Sequence, residues 1–404
     1  MKTANRDRVA HNGAGKSGPS ALARLASRIK RYLILPLIFL SLASSPSFSA
    51  DFNKGLKAYN SGDYATALRE WTPLAEQGDA NVQFYLGVMY GNGLGVPQDY
   101  KAAVKWYRLA AEQGDAFAQT NLGVMHAKGH GVPQDYKAAV KWYRLGAEQG
   151  EAKAQNNLGL MYKNGWGVPQ DYKAAMKWYR LAAEQGLATA QFNLGLAYRS
   201  GDDIPQDYKV AAKWYRLAAE QGLAKAQYNL ANLYTRGDGV LQNYKVAFKW
   251  YRFAAEQGFA EAQYNLGVLY DKGQGVSRDY KVAAKWYRLA ADQGFAGSQY
   301  NLGVLYDNGH GVSQDYNAAV KWYRLAAEQG HAAAQSNLGV LYVLGQGVQQ
   351  DATHALMWWN IAAPAGYMKA IKNRDIINKM LTPAEILKAQ KLARECVAKD
   401  YKNC

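Results

Sequence analysis

Two cysteines in 404 residues, Cys396 and Cys404, leave most of the chain without material for a disulfide framework or a cysteine-rich metal site. They stand eight apart near the C-terminus. In an oxidising compartment such a pair reads as a disulfide closing the chain end, with two free thiols as the other reading. Histidine is scarce too: His11, His126, His130, His310, His331 and His354 form no ligand cluster. His126 and His130 have a metal-like spacing for a helix, but Gly129 breaks the helix between them. No H-E-x-x-H, no G-x-S-x-G and no G-x-x-x-x-G-K-[ST] phosphate loop occurs. The sequence therefore offers no catalytic residue, no metal ligand and no cofactor site, and a non-enzymatic protein is expected.

Apolar runs long enough to cross a bilayer as a helix are also missing. The run YLILPLIFLSLA, Tyr32 to Ala43, is about a dozen residues against the roughly 20 required. It follows a basic segment ending Arg28, Lys30, Arg31 and precedes the small-residue stretch SSPSFSA. Residues 1–49 are thus expected to be a secretory signal peptide, with a retained N-terminal anchor as the rival reading. The expected location is the periplasm, with secretion or N-terminal anchoring as variants, and no stable transmembrane span after processing. The first fifty residues hold +7 of the formal net charge of +16, so the remainder keeps +9. That excess suits a cell-envelope surface or an acidic partner better than nucleic acid.

Repetition is what the sequence has in abundance. DYKAAVKWYRLAAEQG, Asp99 to Gly114, returns from Asp135 to Gly150 with one change. Aligned on this start, Asp63, Asp99, Asp135, Asp171, Asp207, Asn243, Asp279, Asp315 and Asp351 are each 36 residues apart, without insertion or deletion. A fixed period of this length belongs to a solenoid, in which each unit buries its apolar face only against its neighbours.

Each unit reads as helix, turn, helix, turn. Over Tyr100 to Gln113, Ala103, Tyr107 and Ala110 share one face, flanked by Trp106, while Lys101, Lys105, Arg108 and Glu112 occupy the opposite arc. Gly114 ends that helix. The helix at about Ala116 to Ala127 puts Ala118, Leu122, Met125 and His126 on one face and Phe117, Thr120, Asn121 and Val124 on the other. Gly123 permits close approach of a neighbouring helix. His126 replaces the tyrosine of the other full units and reads as a packing residue.

Leu86-Gly87-x-x-Tyr90 followed by Ala103-x-x-x-Tyr107-x-x-Ala110 resembles the tetratricopeptide signature. With the G-x-G-V-P-Q-D-Y loop and the W-Y-R-x-A-A-E-Q-G helix end, the chain resembles the Sel-1-like repeat family over about three quarters of its length. The resemblance implies an all-α fold, a right-handed α-solenoid of helix-turn-helix repeats with a concave groove, used mostly as a scaffold for protein partners. Some bacterial relatives have been described as β-lactamases or penicillin binders. Those carry cysteines within their repeats, whereas these repeats have none and no Ser-x-x-Lys, so the activity is not carried over.

The expected organisation is a signal peptide over 1–49, the start of the first helix pair over 50–62, eight full units and a partial ninth over 63–366, and a C-terminal helical cap over 367–404. The first unit departs in having Glu70 and then Trp71, and the fourth loop has Asp203 in place of its second glycine. In the cap, Thr382-Pro383-Ala384-Glu385 reads as an N-cap, a first-turn proline and a capping-box glutamate for a helix of about Pro383 to Ala398.

Two surfaces are candidates for binding. The first is a ladder on the first helices: Asn121, Asn157, Asn193, Asn229, Asn265, Asn301 and Asn337, with Phe192, Tyr228, Tyr264 and Tyr300 beside it. Asparagine amides can hold a peptide backbone and aromatic rings give contact area; equally, the amides can bond a neighbouring helix and define the repeat. Lys153 with Asn157, and Lys225 with Asn229, resemble the carboxylate-holding pair of some tetratricopeptide grooves. The second surface is a ridge of Lys105 and Arg108 and their counterparts in later units, which fits either an acidic cell-wall polymer or a merely solvated face. The expectation is an interaction scaffold or adaptor that takes a protein or peptide in its groove, in the envelope or after secretion. A peptidoglycan- or glycan-binding or cell-wall-modifying protein is the alternative.

Overall fold

Asparagine, aspartate and glycine set the boundaries of the helices. In the computed structural model, residues 50–404 are described, apart from Asp202, Asp203 and Asn403. The signal-peptide reading of 1–49 and the Asp203 departure lie outside them. Among the described residues there are twenty α-helices and no strand. In chain order they are α1 Phe52–Asn60, α2 Tyr64–Glu76, α3 Ala80–Asn92, α4 Tyr100–Glu112, α5 Ala116–Lys128, α6 Tyr136–Glu148, α7 Ala152–Asn164, α8 Tyr172–Glu184, α9 Ala188–Ser200 and α10 Tyr208–Glu220. They continue as α11 Ala224–Arg236, α12 Tyr244–Glu256, α13 Ala260–Lys272, α14 Tyr280–Asp292, α15 Ala296–Asn308, α16 Tyr316–Ala327, α17 Ala332–Leu344, α18 Ala352–Ala362, α19 Met368–Ile377 and α20 Pro383–Ala398. From α3 onward the odd-numbered helices up to α17 are the first helices of their units and the even-numbered ones up to α18 the second.

Local chemistry explains most of the boundaries. Asp99 accepts hydrogen bonds from the Lys101 and Ala102 amides at 2.8 and 3.0 Å and starts α4. The first helix α5 ends on Gly129 in the left-handed region at φ 71°, which costs a glycine little. A long loop then turns back to Asp135, and each hairpin packs on the next.

Packing depends on small residues meeting one large ring. A Cβ on Gly123 would lie 2.6 Å from the Tyr143 ring, and the same holds at Gly159, Gly195, Gly267 and Gly303 against Tyr179, Tyr215, Tyr287 and Tyr323 at 2.6 to 2.8 Å. Every one of those tyrosines is buried. Ala231, above Tyr251, is the exception to glycine in this column. In the flanking units tryptophan takes the ring position: Trp71 is fully buried against Gly55, and Trp359 packs under Gly339.

Successive units are also joined by a buried glutamine relay. Gln119 Nε2 donates to the Ala111 carbonyl at 3.1 Å, while its Oε1 accepts from Gln149 Nε2 at 2.8 Å. The pattern repeats at Gln83, Gln155, Gln191, Gln227, Gln263 and Gln299, all at most 4% exposed. It ends at Gln335, which bonds the Ala327 carbonyl but meets no glutamine from the shortened ninth unit.

At the C-terminal end α20 starts on Thr382, which shares a reciprocal capping box with Glu385. It covers the last hairpin with Ala389, Ala393 and Cys396. Cys396 and Cys404 are joined by a disulfide that ties the chain end back to this helix. No helix of the described residues is long and apolar enough to cross a membrane.

Candidate functional site

The exposed face of the first helices carries a groove of about 800 Å³ between α7, α9 and α11. It brings together Lys153, Asn157, Phe192, Asn193 and Lys225 from three consecutive units. Leu187, Leu223 and Phe259 line it as well, and sequence reasoning did not single these out.

Those three residues occupy the N-cap position of a first helix. Down the chain that position reads Asp79, Asp115, Glu151, Leu187, Leu223, Phe259, Phe295 and His331. Asp79, Asp115, Glu151 and His331 accept a hydrogen bond from the helix backbone. The four apolar residues between them make no side-chain cap bond. A cap of this kind contributes about 1 kcal/mol. Four successive first helices therefore forgo a local stabilisation, and three of their substitutes face one groove, the pattern expected where function overrides local preference. Reading that single column against capping preferences would have found it.

The cap difference can be measured. Leu187→Asp should be about 1 kcal/mol more stable than Leu187→Ala, because both lose the leucine and only aspartate restores the cap. Urea unfolding of the two variants compares them, and equal midpoints would mean that α9 has no unmet capping requirement.

The asparagine ladder is tied into the fold rather than standing free. Asn193 donates to Asn156 Oδ1 at 2.9 Å, and Asn157 accepts from Asn156 at 3.4 Å. Asn229 donates to the Lys225 carbonyl at 2.8 Å and accepts from Arg199 at 2.9 Å, so it points away from the large groove. Lys225 and Asn229 thus serve different cavities, whereas Lys153 and Asn157 share one. Farther along, Asn265 lies near the Tyr251 phenol and Asn301 near those of Tyr264 and Tyr287, while Asn337 donates to Tyr323 at 3.1 Å. Asn121 is half-buried in α5, one unit before the groove. Burial pushes these phenols up, that of Tyr251 to about 12, so they remain neutral donors. Tyr323 donates in turn to Asp307 at 3.1 Å, whose carboxyl burial pushes upward.

The aromatic column is half-buried. Phe192 packs against Tyr215 with ring centres 5.8 Å apart. Tyr228 lies between Tyr251 and Phe259, Tyr264 between Tyr287 and Phe295, and Tyr300 between Tyr323 and His331. Only Phe192 of these four lines the large groove.

The basic ridge of the second helices divides into two chemistries. Arg144, Arg180, Arg216, Arg288 and Arg324 each donate to a tyrosine hydroxyl of the following unit, Tyr162, Tyr198, Tyr234, Tyr306 and Tyr342. These arginines brace the stack. Among the described residues only Arg252 reaches the glutamate four places on, at 3.4 Å. The lysines stay exposed, and Lys105, Lys141, Lys177, Lys249 and Lys321 lie over the ring of the neighbouring tryptophan. His126, at the tyrosine position next to Arg108, has its titration lowered first by burial and then by that arginine. No group of His, Cys, Asp or Glu among the described residues could hold a metal ion.

Comparison with known proteins adds the relatives. The Sel1 repeat family model matches eight consecutive segments: 80–115, 116–151, 152–187, 188–223, 224–259, 260–295, 296–331 and 332–367. Each is one first helix, its glycine loop and one second helix. A Sel1 repeat protein from Oxalobacter formigenes is similar in structure, with a TM-score of 0.57 and 35% identity over 60% of this chain and 100% of that one. The c5321 protective antigen of uropathogenic Escherichia coli, described as displaying an SLR fold, is 33% identical over 87% of this chain and 94% of its own, with a TM-score of 0.47. No curated protein matches the sequence.

Proposed function

This chain belongs to the Sel1 repeat family, and on that premise we propose that it is a non-enzymatic scaffold taking a protein or peptide partner along its first helices, in the cell envelope or after export. Repeat proteins of the Sel1 and tetratricopeptide-like kind are generally protein-interaction scaffolds. One observation carries the reading to a particular place. The groove between α7, α9 and α11 gathers two lysines, several amides and apolar side chains from three units, beside the starts of α9 and α11, where capping has been given up. Apolar surface with a few placed polar groups is the usual make-up of a binding site. The signal-like segment before Asp51 supports the envelope location.

Site-specific photo-crosslinking tests it. A crosslinker replacing Asn193 should capture a discrete partner in cells, and one replacing Lys285 on the exposed second-helix face should not. Capture of the same set from both positions, or of nothing from Asn193, would defeat the groove reading.

The exposed lysines favour a second reading, contact with an acidic cell-wall polymer. Binding to purified peptidoglycan that weakens as salt rises and is lost on replacing Lys105, Lys141 and Lys177 would support it. Binding indifferent to both would remove it.

A further inference from the structure

Charge on the first helices is unevenly distributed. The helices α7, α9 and α11 carry Lys153, Lys163, Arg199, Lys225 and Arg236 and no acidic residue. Acidic residues appear in the next first helices as Glu261 and Asp271 in α13 and Asp307 in α15. The positive stretch coincides with the large groove, whose lining contains no carboxylate.

Two of the helices that form the groove, α9 and α11, also carry a polar pocket of about 330 Å³ that includes Arg199, Arg236, Asn229 and Asn232. Its arginine is prepositioned. Asn229, only 9% exposed, fixes Arg199 Nη1 at 2.9 Å and is itself anchored on the Lys225 carbonyl at 2.8 Å. One face of the Arg199 guanidinium edge is thereby committed to the protein, and its remaining donors keep a set direction. Among the described residues Asp238 is the one carboxylate in the lining, against two guanidinium groups. A planar guanidinium held in place suits a carboxylate, which it can meet with two parallel hydrogen bonds.

We propose that the face formed by α7, α9 and α11 binds an acidic, partly apolar segment of a partner protein, with Arg199 and Arg236 seating a carboxylate and the groove at Phe192, Leu223 and Phe259 taking the adjoining apolar side chains. This rests on the scaffold reading and specifies its partner. Arg199 is a feature of the fourth unit alone: the same position in the other units holds Gly91, Ala127, Lys163, Thr235, Asp271, Asp307 and Val343. The recognition is therefore written into one segment of an otherwise repeated surface. Acidic residues of the partner also complement the surrounding lysines, which speeds encounter and discriminates against basic segments.

Fluorescence anisotropy on the full chain tests this with three labelled peptides: one alternating Glu with Leu and Phe, one with Gln for every Glu, and one with Lys. The Glu peptide should bind at least ~10-fold more tightly than the Gln peptide, with the Lys peptide weaker still. The double variant Arg199→Glu, Arg236→Glu should lose at least ~10-fold in affinity for the Glu peptide. Lys213→Glu with Lys285→Glu, an equal charge change on the exposed second helices, should change it by about twofold or less. Should the double reversal lower the unfolding temperature, Arg199→Gln with Arg236→Gln replaces it, with the same direction expected. Equal binding of the Gln and Glu peptides would overturn the charge assignment and leave the scaffold reading standing. A loss as large in the second-helix variant, or no binding of any peptide, would overturn the pocket assignment. Failure of the crosslinker at Asn193 to capture a partner takes down the scaffold reading, and this inference with it.

Discussion

Gly267→Leu is expected to destabilise the solenoid by about 2–4 kcal/mol and to open it at α13 and α14. A Cβ at this position would lie 2.6 Å from two atoms of the Tyr287 ring, well inside contact distance. Tyr287 is fully buried and cannot swing out without emptying the core of its unit. Leucine gains about 1 kcal/mol of helix propensity over glycine, which offsets only part of the overpacking. Gly267→Ala brings the same Cβ and should also destabilise, but less than leucine, because α11 accommodates the methyl group of Ala231 at the matching place above Tyr251. Denaturant unfolding ranks the three proteins, and native-state hydrogen exchange should place the lost protection in α13, α14 and their neighbours. If Gly267→Leu unfolds with the parent, the glycine column does not set the helix spacing.

Gln119→Leu should lower stability by about 2 kcal/mol, the loss of two buried hydrogen bonds at roughly 1 kcal/mol each. Leucine retains the bulk and the apolar burial, so the change isolates the polar contribution. The Ala111 carbonyl keeps its turn bond from Gly114 at 3.0 Å but loses the one from Gln119, and Gln149 keeps only its longer bond to the Leu145 carbonyl at 3.5 Å. Gln149 is exposed, so Gln149→Ala should cost less, about 1 kcal/mol. The two changes together should fall short of their sum by about 0.5–1.5 kcal/mol, since they share one bond. Strict additivity would mean that the relay is not a connected unit. Gln335→Leu supplies a comparison within the same chain: with no incoming glutamine, it should be the mildest of the series.

Much of this was legible in the residues. The 36-residue period, the Asp starts, the glycine stops and the capping box at Thr382 and Glu385 correspond to helices and ends in the fold. Gly123 was expected to admit a close neighbour, and the Tyr143 ring is that neighbour. The asparagine ladder was open between two readings: Asn157 and Asn193 line a groove while bonding Asn156, and Asn229 and Asn337 bond Arg199 and Tyr323. Three features were not read at all: the glutamine relay, the arginine–tyrosine braces and the uncapped helices at the groove. The last could have been, since Asp79, Asp115 and Glu151 give way to Leu187 and Leu223 in a single aligned column.

The sequence by itself determined the helices, their order and the repeat, because these depend on contacts within a few residues: an aspartate and the next two or three amides, apolar positions every third or fourth residue, a glycine at a positive φ. Only the tertiary structure decided which members of each column meet. Gln149 finds Gln119 30 residues away, Asn193 finds Asn156 37 away, and Arg199 finds Asn229 across 30. Those pairings depend on how one hairpin is set against the next, which the buried rings and the glycines above them fix together. A helical wheel assigns a residue to a face; the stacking of hairpins decides what that face confronts.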